Sequence, residues 1–182
     1  PSGEGAMLAV LGMASKELDK MLEMNNKKYE CFIANDNSNL QVVVSGLKKD
    51  INLLSDDLNS KKIKNLKLNV SAPFHCELMT PAAEKMRIEL EGIKIEPPIV
   101  PIVSNVSAQA ILDPIEIKKL LVSQVTGSVR WRESIMWMAK NNVDEIWEIG
   151  SGKALSGMIR RIDKNINLKN ISSPEDIKAV EF

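Results

Sequence analysis

Leu47, Ile51, Leu54 and Leu58 recur at steps of four, three and four, which puts all four on one face of a helix. No other stripe in the chain constrains its fold as strongly, and what flanks it has a different period. Met7 to Leu11 is a short apolar run between Gly5 and Gly12 and predicts a strand. Ser15 is expected to cap the next helix, whose Leu18, Met21 and Leu22 share a face. Tyr29 to Ala34 reads as a second strand, the polar run Asn35-Asp36-Asn37-Ser38-Asn39 as a turn, and Leu40 to Val44 as a third strand. Beyond the helix, Leu66, Leu68 and Val70 alternate with polar residues, as a half-buried fourth strand would. The succession β-α-β-β-α-β is the split arrangement of a ferredoxin-like unit, placed at residues 5–70.

From residue 71 the pattern changes. Thr80-Pro81 sets a capping hydroxyl before a proline at the first helical position, and Ala82, Met86 and Leu90 continue that helix. Pro97, Pro98 and Pro101 bracket an extended segment from Ile99 to Asn105. Asp113-Pro114 opens another helix, with Glu116 placed for a capping box. Trp131, Ile135 and Met138 lie on one helical face; Ile146 to Ile149 is strand-like; Leu155, Met158, Ile159 and Ile162 form a further stripe. Asn167 to Ile171 predicts a last strand and Ser173-Pro174 a terminal helix. Strands alternating with helices point to part of a parallel α/β sheet, with too few strands for a complete doubly wound domain.

Composition narrows the function classes. The 182 residues carry 24 Lys+Arg, 24 Asp+Glu and one His, so zero net charge gives no electrostatic reason to bind nucleic acid or an anionic membrane. Aromatics are only 4%, too few for single-strand stacking. No apolar run approaches the ~20 residues of a membrane span. Cys31 and Cys76 make no disulfide framework, which suits a reducing cytoplasm, and with one His they make no metal cluster. Residues 1–5, Pro-Ser-Gly-Glu-Gly, look unlike a targeting peptide, and the expectation is a chain that begins inside a larger protein.

His75, the sole imidazole, sits in Ser71-Ala72-Pro73-Phe74-His75-Cys76-Glu77-Leu78-Met79, at the exit of a strand and before a helix, where a general base can stand. Taken alone, a single His is more often a structural or surface group. A Cys76–His75 nucleophile pair is rejected, because adjacent side chains in extended structure diverge. Cys31 reads as a small buried hydrophobe. Gly150-Ser151-Gly152-Lys153 resembles a phosphate loop but has Trp147 and Ala154 where that motif needs Gly and Ser or Thr. Anion contact at the helix start behind it is kept as an option. Lys61, Lys62, Lys64 and Lys67, with Arg160, Arg161 and Lys164, are a solvated face or a docking surface for an acidic partner.

Several of these segments, in order, resemble the malonyl-CoA:acyl carrier protein transacylases. They are Gly5-Ala6-Met7; Asn35-Asp36-Asn37-Ser38 with Gln41-Val42-Val43-Val44-Ser45-Gly46; Ser71 to Ala82; Gln124-Val125 with Val129-Arg130-Trp131; and Glu148 to Lys153. The resemblance implies an α/β fold: a ferredoxin-like small subdomain at 5–70 and, at 71–182, the C-terminal part of an α/β-hydrolase-like large subdomain. It implies transfer of malonyl from malonyl-CoA to the phosphopantetheine thiol of acyl carrier protein through a malonyl-serine ester. Coenzyme A thioester is then a substrate and no cofactor is expected. His75 matches the family's base, and Gln124 a position whose backbone carbonyl orients the imidazole. Phe74 matches the form of the motif that leaves little room for an α-methyl branch, and Asn35 and Asn37 would lie near the substrate cleft. Many relatives have Pro where Ser151 stands.

No Gly-His-Ser-x-Gly elbow is present in this sequence, nor the family's early Gly-Gln-Gly segment or its carboxylate-binding arginine. The expectation is a cytoplasmic transacylase as the parent protein, with this chain inactive alone. The rival expectation is a catalytically incomplete fragment that only binds acyl carrier protein or a complementary chain, such as the missing N-terminal segment. A third, a ferredoxin-like nucleic-acid module, is disfavoured by charge and aromatic content.

Overall fold

The computed structural model describes residues 3–179. They are α/β and group into two compact units, one running to Ser134 and one from Ile135. In the first, β1 (Gly5–Leu11), β2 (Cys31–Ser38), β3 (Gln41–Leu47) and β4 (Asn65–Lys67) form an antiparallel sheet ordered β2-β3-β1-β4. The helices α1 (Ser15–Met24) and α2 (Lys48–Ser60) are interleaved with them, in the β-α-β-β-α-β succession the periodicities predict.

Leu8, Val10, Val42 and Val44 point to one face of the sheet and pack with Leu18, Met21 and Leu22 of α1 and Ile51, Leu54 and Leu58 of α2. Met7, Ala9, Ala34 and Val43 form a smaller cluster on the other face, against Leu68. Burial on both faces explains why β1 reads as a continuous apolar run rather than an alternation.

Local expectations fail where tertiary contacts take over. The polar run at 35–38 is strand, not turn: β2 extends to Ser38, leaving Asn39-Leu40 as the connection. What sustains a polar strand there is a partner distant in sequence. Asp36 N donates to Val129 O at 2.9 Å and Val129 N to Ala34 O at 2.8 Å, so residue 129 pairs in parallel with β2 at the edge of the sheet. The strand expected at 66–70 is limited to 65–67, with Leu66 64% exposed. Ser15 is already inside α1, whose N-cap is Ala14.

A 3₁₀ turn (Glu77–Met79) leads into α3 (Thr80–Glu91). Thr80 is the first residue of that helix rather than its cap, and its hydroxyl turns back to Glu77 O at 2.6 Å. β5 (Ile102–Val103) and β6 (Ala110–Ile111) make a short antiparallel pair before α4 (Pro114–Thr126), which packs on α3. Asp113 caps α4 as expected, accepting from Ile115 N at 3.0 Å, but Glu116 faces Lys119 at 3.8 Å instead of closing a capping box.

Helix α5 (Trp131–Lys140) leads from the first unit into the second. There β7 (Glu145–Ile149), α6 (Ala154–Ile162) and β8 (Asn167–Ile171) make a parallel β-α-β unit, closed by α7 (Pro174–Lys178) with a Ser173–Asp176 capping box. Ile159, Ile166 and Ile171 are its buried residues of the Ile type beyond α5. Among the described residues no helix is long and apolar enough to cross a membrane.

Candidate functional site

Everything that brings His75 to its partner begins with how residues 71–76 lie against β1. A Cβ on Gly5 would fall 2.1 Å from Pro73 Cδ and 2.7 Å from Pro73 N, so only glycine lets this segment approach the strand so closely. Pro73 and Cys76 are both fully buried, anchoring the segment on either side of His75. The Cys76 thiol donates to Pro73 O at 3.1 Å, turned away from any role with the imidazole. Between these anchors His75 has φ +61°, a left-handed conformation that non-glycine residues adopt rarely and at a cost of order 1–3 kcal/mol.

The half-buried imidazole places Nδ1 2.9 Å from the backbone oxygen of Gln124. A carbonyl only accepts, so Nδ1 carries the proton, and in the neutral ring Nε2 is left with its lone pair. That carbonyl is available because of where α4 stops. The last four carbonyls of a helix have no helical donor, and Gln124 is third from the end of one that finishes at Thr126. Gly127 then leaves in an extended conformation (φ −92°, ψ 150°), its own N–H taking Ser123 O at 2.7 Å. A Cβ there would sit 2.8 Å from Ser123 O, so a second glycine permits the exit.

The sequence reveals none of the contacts that tie Asn105, Arg130 and Arg132 to their partners. Asn105 Nδ2 donates to Gln124 Oε1 at 3.3 Å, and Arg130 N donates to Asn105 O at 2.8 Å. The Arg130 guanidinium reaches Val106 O and Ser107 O, each at 3.2 Å, and pairs with Glu133, whose carboxyl it holds below the usual range. Arg132 grips the buried Asp36 carboxylate with Nε at 3.0 and 3.1 Å and Nη2 at 2.7 Å. No local signal marks these contacts, since Asp36 and Arg132 are 96 residues apart.

Asn35 and Asn37 lie half-buried on β2, alternating with buried Ala34, Asp36 and Ser38. Among the described residues neither amide is hydrogen-bonded to His75 or Gln124, whose contact is that of Nδ1 with the backbone oxygen. Phe74 is 40% exposed, its ring lying outside the core.

At Gly150-Ser151-Gly152-Lys153 the helix start is already occupied. Glu148 accepts from Leu155 N at 3.0 Å, Ser156 N at 2.7 Å, Ser156 Oγ at 2.6 Å and Asn170 Nδ2 at 3.2 Å. The Ser156 hydroxyl foremost, then these N–H groups, hold its carboxyl below the usual range. The option of an external anion on those N–H groups is thereby corrected: the chain supplies its own carboxylate. Burial, with the Asp50 charge next, pushes the Cys31 thiol up to about 12. Among the described residues no three His, Cys, Asp or Glu side chains converge as a metal site.

No protein-family model matches the chain. Curated relatives do. It is 39% identical to the malonyl CoA-acyl carrier protein transacylase of Bacillus subtilis and 33% identical to that of Escherichia coli K12, over 98% of this chain in both cases. Among solved structures it superposes on the acyl-carrier-protein S-malonyltransferase of Bartonella henselae with TM-score 0.92 at 42% identity, covering 98% of this chain and 57% of that one. It superposes equally, at 31% identity and over 58% of that chain, on a malonyl-transacylase solved in complex with a type II polyketide acyl-carrier protein. The chain spans 57% of the Bacillus relative and 58% of the Escherichia one.

Proposed function

The chain belongs to the malonyl CoA-acyl carrier protein transacylase family, and from that premise we propose that it supplies the base-bearing part of such an enzyme. The single observation that carries this reading is the His75 Nδ1 to Gln124 carbonyl contact of 2.9 Å. It leaves Nε2 as the proton acceptor, and among the described residues no carboxylate pairs with the imidazole.

In this reading a serine outside the chain loses its proton to His75 Nε2 as its oxygen attacks the malonyl thioester. The imidazolium returns that proton to the departing coenzyme A thiolate. The phosphopantetheine thiol of acyl carrier protein then attacks the malonyl-serine ester, His75 taking the thiol proton and giving it back to serine. The Gln124 carbonyl holds the donor tautomer throughout, and Phe74 limits room beside the malonyl α-carbon. Asn35 and Asn37 serve the substrate cleft. Residues 5–70 act as the ferredoxin-like small subdomain, and 71–182 as the returning part of the hydrolase-like one. Exposed Lys61, Lys62, Lys64 and Lys67 offer an acidic carrier protein a complementary face. The working compartment is the cytoplasm.

The test is a chimera in which this chain replaces the matching part of the Bacillus relative. Transfer of malonyl from malonyl-CoA to acyl carrier protein is expected from the chimera and not from this chain alone. A folded but inactive chimera would count against the assignment.

A second reading, a fragment completed by another polypeptide without catalysis of its own, is favoured by one observation. Ile99 and Val100, at 102% and 67% exposure, run into the short β5–β6 pair with no cover. Self-association of the isolated chain, relieved when the remainder of the relative is added, would support it.

A further inference from the structure

The role given to Gln124 uses its main chain and leaves its side chain without a task. The geometry points to Asn105 as a positioning residue that holds Gln124, and through it the imidazole, by that side chain. This rests on the assignment of His75 as base and deepens it.

Gln124 needs such a hold because of its position. The last turn of a helix lacks onward hydrogen bonds and frays. Gly127 turns the chain away immediately, so no further helical turn steadies the carbonyl that His75 Nδ1 must meet. Asn105 supplies a side-chain anchor within that turn, donating from Nδ2 to Gln124 Oε1 at 3.3 Å.

The anchor is itself fixed. Residues 104–109 form a closed turn: Ser104 N donates to Gln109 O at 3.0 Å, Ala108 N to Ser104 O at 2.8 Å, and Val106 N to Ser104 Oγ at 3.3 Å. Ala108 sits at φ +54° to close it. Arg130 braces it from outside, through its N–H on Asn105 O and its guanidinium on the carbonyls of Val106 and Ser107. Because Val129 is paired to β2, the frame runs without a break from the sheet edge through Arg130 and Asn105 to Gln124 and His75. A donor on so stiff a platform sets where the end of α4 lies.

His75 is the only histidine, so long-range ¹H–¹⁵N spectra of this chain report one imidazole without ambiguity. Four proteins suffice: wild type, Asn105→Leu, Gln124→Met and the double variant, each near-isosteric so that folding is retained. The wild type is expected to show the Nδ1–H tautomer. Each single variant is expected to speed Nδ1–H exchange about 2–10-fold, the range set by one neutral hydrogen bond, and to raise the Nε2–H fraction. The double variant should go no further than either single, since both remove the same bond. A collapse of the spectrum in one single variant would leave the other to decide. Wild-type behaviour in both single variants, or additive effects in the double, would overturn the role of Asn105 while leaving the base assignment standing. A wild type without the Nδ1 proton would overturn both.

Discussion

Replacing Gly5 by Ala adds one methyl group in a place where none fits. Its carbon would lie 2.1, 2.5 and 2.7 Å from Pro73 Cδ, Cγ and N, where ordinary carbon contacts begin near ~3.5 Å. Pro73 is fully buried and one of the three atoms is backbone, so no flexible side chain can swing aside. The 71–76 segment must therefore recede by about 1.4 Å, the shortfall against ~3.5 Å. Overpacking of this kind costs about 1–3 kcal/mol, partly offset by the ~0.4–1 kcal/mol that Ala gains over Gly by restricting the unfolded chain. The expected net loss is about 1–2 kcal/mol in urea denaturation at constant m-value. The same displacement carries His75 with it, lengthening a 2.9 Å contact beyond hydrogen-bonding range and releasing the Nδ1 proton to fast exchange. Unchanged stability together with an unchanged His75 signal would refute the claim that Gly5 is needed for this approach.

Three further outcomes follow from the contacts. Asp36→Ala removes the buried carboxylate that Arg132 holds; breaking a fully buried pair costs ~3–5 kcal/mol and the Arg132 side chain is 21% exposed, so about 2–3 kcal/mol is expected here by denaturation, and a loss below ~0.5 kcal/mol would contradict the ion pair's role. Glu148 has a lowered folded pKa, so its stabilisation is complete above the unfolded value of ~4.3 and is lost as pH falls through the folded one; Glu148→Gln should flatten melting temperature against pH below ~4.5, and an unaltered acid limb would exclude it as the source. Cys31, pushed up to about 12, should react with iodoacetamide at pH 8 about 10³-fold slower than a free thiol and at the ordinary rate in urea; fast labelling of the folded chain would show the thiol is not held protonated.

What could be read without coordinates was what depends on nearest neighbours in sequence. The Ile51, Leu54 and Leu58 stripe of α2, the apolar run of β1, the Asp113 cap and the Ser173-Pro174 helix start are local patterns that stand where their residues predict, whereas Leu47, expected on the same helical face, ends β3 instead. The Asn35–Asn39 run failed as a turn because its strand is sustained by Val129 and its one buried charge by Arg132, both far along the chain. Thr80 and Ser15 lie one residue inside the helices they were expected to cap, a shift that propensity alone does not resolve. At the candidate site, the resemblance pointed to His75 and Gln124, and the structure brings the imidazole within 2.9 Å of the Gln124 backbone oxygen. The Asn105 amide and the Arg130 brace were not, because a contact made by a turn against the far end of a helix leaves no periodic trace.

The most direct test of the account is His75→Ala in the chimera with the Bacillus relative, read as the rate of malonyl transfer to acyl carrier protein. Loss of a general base is worth ~10²–10⁴ in rate, and a fall of that size with the fold intact is the predicted result. Transfer at the unsubstituted rate would contradict the assignment of His75 as the base that the Gln124 carbonyl holds in place.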